Sequence, residues 1–125
     1  MVLLDTCIVI EYINGNKVII DEINKIGKEE FLLNDIIIME LFVGARDKRD
    51  LRFIKNKIDG FYTIEVTNEV VSLAKNLVKE YYLSNNCNIN DSLLASSSLI
   101  YDIELFTYNL KHFNFIPDLK LYNLK

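Results

Sequence analysis

With 125 residues and a mass of 14.6 kDa, the chain has the length of one domain, residues 1–125, and leaves no room for a second. Half of its residues are hydrophobic and one is proline, which excludes a disordered tail. Its 18 acidic residues against 14 basic ones give a net charge of −4, so phosphate contacts alone do not account for nucleic-acid binding, and any such function needs another source of positive charge.

The two cysteines, Cys7 and Cys87, lie far apart without a C-x-x-C pattern, which excludes zinc ribbons and disulfide scaffolds. The N-terminus has no basic region followed by an apolar one, and no apolar run reaches membrane-spanning length. A soluble, cytoplasmic protein is expected.

Val2 to Leu4 reads as a short strand ending at Asp5, and Thr6 to Tyr12 as a helix stopped by Asn14 and Gly15. Lys17 to Ile26 predicts a second helix, with Ile19, Ile23 and Ile26 inward and Asp21, Glu22 and Lys25 opposite. Phe31 to Leu33 is the next strand. Asn34 or Asp35 then caps a helix running to Val43, apolar on nearly every side as buried helices are, with Glu40 inside it and Gly44 at its end.

Asp47 to Asp59 predicts a charged helix with Leu51, Phe53, Ile54 and Ile58 inward, and Phe61 to Val66 a strand. The strongest helical period follows, capped by Thr67 or Asn68, with an apolar stripe from Val70 through Tyr81 and Tyr82. Asp91 to Ile100 is a further helix, Glu104 to Thr107 a strand, and Lys120 to Tyr122 a last short strand. Strands separated by helices imply an α/β fold with a central parallel sheet of about five strands and helices on both faces. In such sheets ligands bind beyond the carboxyl ends of the strands.

That rule directs attention to Asp5, after the first strand, to Glu40, in the helix after the second, and to Asp91, at the start of the helix before the fourth. Each also has a structural reading: a helix cap for Asp5 and Asp91, a salt bridge to Arg46 or Lys48 for Glu40. Together, three carboxylates in one pocket would repel each other, and a divalent cation removes that cost. Oxygen ligands without histidine suit Mg²⁺ or Mn²⁺ rather than Zn²⁺. Such an ion bridges phosphate oxygens and activates water, which points to metal-assisted phosphodiester hydrolysis.

Leu3-Leu4-Asp5-Thr6, the segment from Met39 to Arg46 and the run from Asn90 to Leu99 resemble the core motifs of PIN-domain ribonucleases. Phe106 to Phe113 is similar to a fourth segment, Thr-x-Asn-x-x-Asp/His-Phe, so the resemblance spans the chain in order. The length resembles that of VapC-like toxins of toxin–antitoxin pairs.

The resemblance implies that Asp5, Glu40 and Asp91 are catalytic and bind Mg²⁺ or Mn²⁺, with Thr6, Thr107 and Asn109 supporting the pocket. It also implies an RNA substrate, a small antitoxin protein as partner and a homodimer. Where relatives carry a further Asp, this chain has Thr107, Asn109 and His112, and His112 is read as a surface or packing residue beside Phe113. Cys7 is read as a small buried hydrophobe. Arg46, Arg49 and Arg52 belong to a basic segment that is either a solvated face or an RNA-backbone track.

Competing readings are a free-standing RNA-processing PIN nuclease, a PIN-like binding module with weak catalysis, and a receiver-type signalling domain. The last lacks its acidic pair after the first strand and its Lys-Pro.

Overall fold

The computed structural model describes residues 1–124. Four parallel strands, β1 (Val2–Leu4), β2 (Phe31–Asn34), β3 (Tyr62–Ile64) and β4 (Glu104–Phe106), form one sheet in the order β3-β2-β1-β4. In place of the expected fifth strand, Leu121 makes a single parallel bridge to Leu105 at the β4 edge. β1 is buried throughout, as is β2, because both lie inside the sheet and take helices on their faces.

Six helices connect the strands: α1 (Thr6–Ile13) and α2 (Lys17–Ile26), α3 (Asp35–Val43) and α4 (Lys48–Ile58), then α5 (Asn68–Asn85) and α6 (Ile89–Tyr101). Two successive steps, β1 to β2 and β2 to β3, move in one direction, and the third returns past β1 to its other side. With right-handed crossovers, that reversal puts α1–α4 on one face and α5 and α6 on the other. The reversal falls between β1 and β4, where the carboxyl ends of both strands leave a crevice.

Local chemistry sets the helix ends. Asp5 caps α1, Asn16 caps α2, Asn34 caps α3 and Asp47 caps α4. Gly27 ends α2 at φ 108°, a conformation that favours glycine. Asn34 also donates its amide to Ser97 Oγ at 3.2 Å, both residues being buried, and so ties the start of α3 to the middle of α6. Along α6 the buried Ser92, Ser96 and Ser97 hydroxyls return their hydrogen bonds to backbone carbonyls of their own helix, which lets a polar, small-residue face pack inside.

Several expected inward faces turn outward. Helix α3 is not buried all round: Ile37 and Leu41 face the core, whereas Met39, Phe42 and Val43 are exposed, Val43 to 86%. In α2, Ile26 is exposed and Glu22 is buried, the reverse of expectation. In α4 only Ile54 and Ile58 are buried; Leu51 and Phe53 are not. In α5, Val71 and Tyr82 are exposed while Tyr81 packs against Phe115 with ring centroids 5.2 Å apart. Each of these helices lies against a sheet or neighbour on one side only, so an apolar stripe wider than that contact leaves its flank in solvent.

Candidate active site

Asp5 follows β1 directly, and its backbone N–H donates to Phe106 O at 2.9 Å, which fixes it between β1 and β4. Its carboxylate is buried and engaged on both sides: Oδ1 accepts the Thr6 N–H at 2.7 Å, and Oδ2 accepts the Thr107 hydroxyl at 2.7 Å. Thr107 accepts in turn from the Asn109 N–H at 2.9 Å. Asn109 is thus tied to Thr107 through its backbone, and its side chain is exposed.

Glu40 lies on α3 at the margin of the core. Thr6 Oγ1 donates to its Oε1 at 3.0 Å and Asn90 Nδ2 donates to its Oε2 at 3.3 Å. No salt bridge to Arg46 or Lys48 forms among the described residues, since Arg46 pairs with Asp50 at 3.4 Å. Asp91 stands in the first turn of α6, which starts two residues earlier than expected: Asn88, not Asp91, is the cap, accepting the Asp91 N–H at 2.8 Å. The Asp91 side chain is thereby free for other work. Its position at a helix N-terminus favours negative charge.

Burial pushes the Asp91 carboxyl above the ordinary carboxylate range, and the charges of Asp5 and Glu40 push it the same way, against an opposing pull from His112. Carboxylates from three segments distant in sequence thus sense one another across one crevice. His112, half exposed as a surface residue would be, brings Nδ1 to 3.0 Å from Asp91 Oδ2. Cys7 is not a sequestered hydrophobe: its thiol lies 3.6 Å from Asp5 Oδ2 and 3.8 Å from Thr107 Oγ1. Burial raises its pKa, with the Asp5 charge adding to the effect, so the thiol stays protonated.

Beside Glu40 a cleft of about 600 Å³ opens between α1, α3 and α4, lined among others by Ile10, Arg46, Arg49, Asp50 and Phe53. Arg46 and Arg49 thus line a cleft that shares Glu40 with the acidic site, whereas Arg52 lies outside this cleft. The sequence reading did not single out His112 as a site residue, or Asn90 at all. The one available signal for Asn90 was a polar residue next to a site carboxylate at a helix start. For His112 it was the Thr-x-Asn-x-x-His spacing, which the 3-10 turn at Leu110–His112 folds back toward α6.

A parallel α/β sheet with Asp5 at its switch point, Glu40 tied to it through Thr6 and Asp91 at a helix start places acidic side chains where ligands bind in such sheets. The PIN domain family model matches residues 2–116, and the chain belongs to that family. It is 27% identical over 124 residues, 96% of this chain and 98% of the relative, to Ribonuclease VapC19 of Mycobacterium tuberculosis. Among solved structures it resembles DNA-bound VapBC from Salmonella typhimurium, at TM-score 0.83 and 19% identity over 99% of this chain and 98% of that one. It also resembles VapBC2 from Rickettsia felis bound to a promoter DNA fragment, at TM-score 0.82 and 23% identity over the whole of both chains.

Proposed function

We propose that residues 1–125 act as one metal-dependent endoribonuclease unit, the toxin of a toxin–antitoxin pair, hydrolysing RNA phosphodiester bonds with Asp5, Glu40 and Asp91 as its catalytic carboxylates. The observation that carries the reading is a pair of hydrogen bonds linking the three segments: Thr6, next to Asp5, and Asn90, next to Asp91, each donate to Glu40. Membership of the PIN family and the likeness to a protein named as a ribonuclease support it.

The donor set fits a hard divalent cation. Every candidate ligand is a carboxylate oxygen, and Asp91 Oδ1 has no protein hydrogen-bond partner among the described residues. No three His, Cys, Asp or Glu side chains among the described residues close into a ready-made cage. A cation bound here would therefore rest on one or two carboxylates, with water and substrate phosphate completing its shell, as Mg²⁺ or Mn²⁺ accepts. When bound, such an ion supplies a Lewis acid that polarises the phosphate and lowers the pKa of water.

Asp5 and Asp91 would hold the cation, with Glu40 beside them to accept a proton from the attacking water. Thr107 and Thr6 keep Asp5 and Glu40 from swinging away, and the hydrolysis breaks one P–O bond as water adds to phosphorus. Arg46 and Arg49 offer the phosphate contacts that the net negative charge of the chain otherwise lacks. The structural neighbours are toxin–antitoxin complexes, and this chain would likewise be silenced by a small partner protein and act as a homodimer.

The test is incubation of the purified chain with single-stranded RNA. Cleavage in Mg²⁺ or Mn²⁺, lost on chelation and restored by adding the ion back, supports the proposal. Cleavage indifferent to chelator contradicts the metal role, and tight RNA binding without cleavage favours a binding module.

A further inference from the structure

We propose that His112 is a positioning residue for the Asp91 carboxylate, an inference that rests on the ribonuclease reading above. An ionised carboxylate only accepts hydrogen bonds, so in the ionised form of Asp91 the proton of the 3.0 Å contact with Oδ2 sits on His112 Nδ1. The ring is held at its root. His112 N–H donates to Asn109 O at 3.0 Å, Phe113 N–H donates to Leu110 O at 3.1 Å, and the adjacent Phe113 is fully buried.

The three carboxylates are held unequally. Asp5 and Glu40 each have both oxygens engaged by protein donors, whereas among the described residues the Asp91 side chain is held by His112 alone. Like charges on Asp5 and Glu40 push Asp91 outward, and the imidazole N–H opposes that push. Removing it leaves the backbone of Asp91 fixed by the Asn88 cap but frees the carboxylate to rotate. Outer partners of this kind typically change ligand affinity or activity by about 10–100-fold.

Three variants separate the roles of the ring. Asn places an amide N–H near the position of Nδ1, Gln places one near Nε2, and Ala has neither. The readouts are kcat and KM on a single-stranded RNA, the Kd for Mn²⁺ without RNA by calorimetry, and the melting temperature. His112→Ala and His112→Gln are expected to lower kcat and weaken Mn²⁺ binding by about 10-fold with little change in KM, and His112→Asn to restore both.

Wild-type behaviour in all three variants overturns the inference. So does an active His112→Gln beside an inactive His112→Asn, which assigns Nε2 a direct part in the chemistry. Asn impaired as much as Ala, with or without a lower melting temperature, also overturns it. If the wild-type protein neither binds Mn²⁺ nor cleaves RNA, the ribonuclease reading itself falls, and this inference with it.

Discussion

Thr6 donates its hydroxyl to Glu40 Oε1 across 3.0 Å, so the residue that follows one site carboxylate holds the next. Thr6→Val keeps the shape of the side chain and removes the donor. We expect kcat on RNA to fall by about 10-fold while the protein stays folded, and Thr6→Ser to recover most of it. Steady-state kinetics on the two variants check this; equal activity in Val and Ser would detach Thr6 from Glu40's role.

Thr107 is the buried junction between Asp5 and the loop after β4, donating to Asp5 Oδ2 and accepting from Asn109 N–H. Thr107→Val strands both groups at once and should cost about 1–3 kcal/mol of stability, with Thr107→Ser close to wild type. Chemical denaturation measures the difference. An unchanged midpoint in Thr107→Val would mean that water replaces the hydroxyl at no cost.

Asp91 gives a prediction whose sign runs against activity. Its carboxyl holds a proton to higher pH in the folded chain than in the unfolded one, because of burial and the neighbouring charges of Asp5 and Glu40. The folded state therefore binds more protons in that window. Stability falls as pH rises out of the ordinary carboxylate range through the raised value, and stays lowered at neutral pH. In chelator at pH 7, Asp91→Asn should melt higher than wild type, and the gain should vanish at low pH where Asp91 is protonated in both states. A lower melting temperature at pH 7 would contradict this.

The basic segment separates into inner and outer residues. Arg49 lines the cleft beside Glu40 and Arg52 does not. Arg49→Ala should weaken RNA binding and reduce the salt dependence by about 0.7 in slope, the value for one phosphate contact on a single strand. Arg52→Ala should change neither. Binding titrations over a range of salt concentrations decide, and equal effects of the two would spread the track over the whole face of α4.

The layout of strands and helices was legible in the sequence because glycines, caps and apolar runs punctuate it: Gly15, Gly27 and Gly44 follow the first three helices where expected. The sequence pattern puts Asp5, Glu40 and Asp91 near the carboxyl ends of the strands, and in the structure Thr6 and Asn90, chain neighbours of Asp5 and Asp91, both donate to Glu40. Burial was less legible. Met39 and Val43 belong to two apolar runs separated by Glu40 alone, yet α3 buries only Ile37 and Leu41, a contact set by neighbours distant in the chain. The partners of each carboxylate were hidden for the same reason: Thr107 reaches Asp5 because β4 lies next to β1, and His112 reaches Asp91 because the turn after β4 folds against the start of α6. A cap is also ambiguous in sequence when Asn88, Asn90 and Asp91 all suit the role, and the structure resolves it as Asn88.

The most direct test is the rate of single-stranded RNA cleavage by Asp5→Asn beside the wild type, in saturating Mn²⁺, with the fold of both checked by circular dichroism. Asp5 is buried at the switch point and accepts from Thr6, Cys7 and Thr107, so Asn keeps the size of the side chain while the charge is lost and one acceptor becomes a donor. The account predicts a folded protein with cleavage at the level of the chelator control. A folded Asp5→Asn protein that cleaves RNA at the wild-type rate would contradict it.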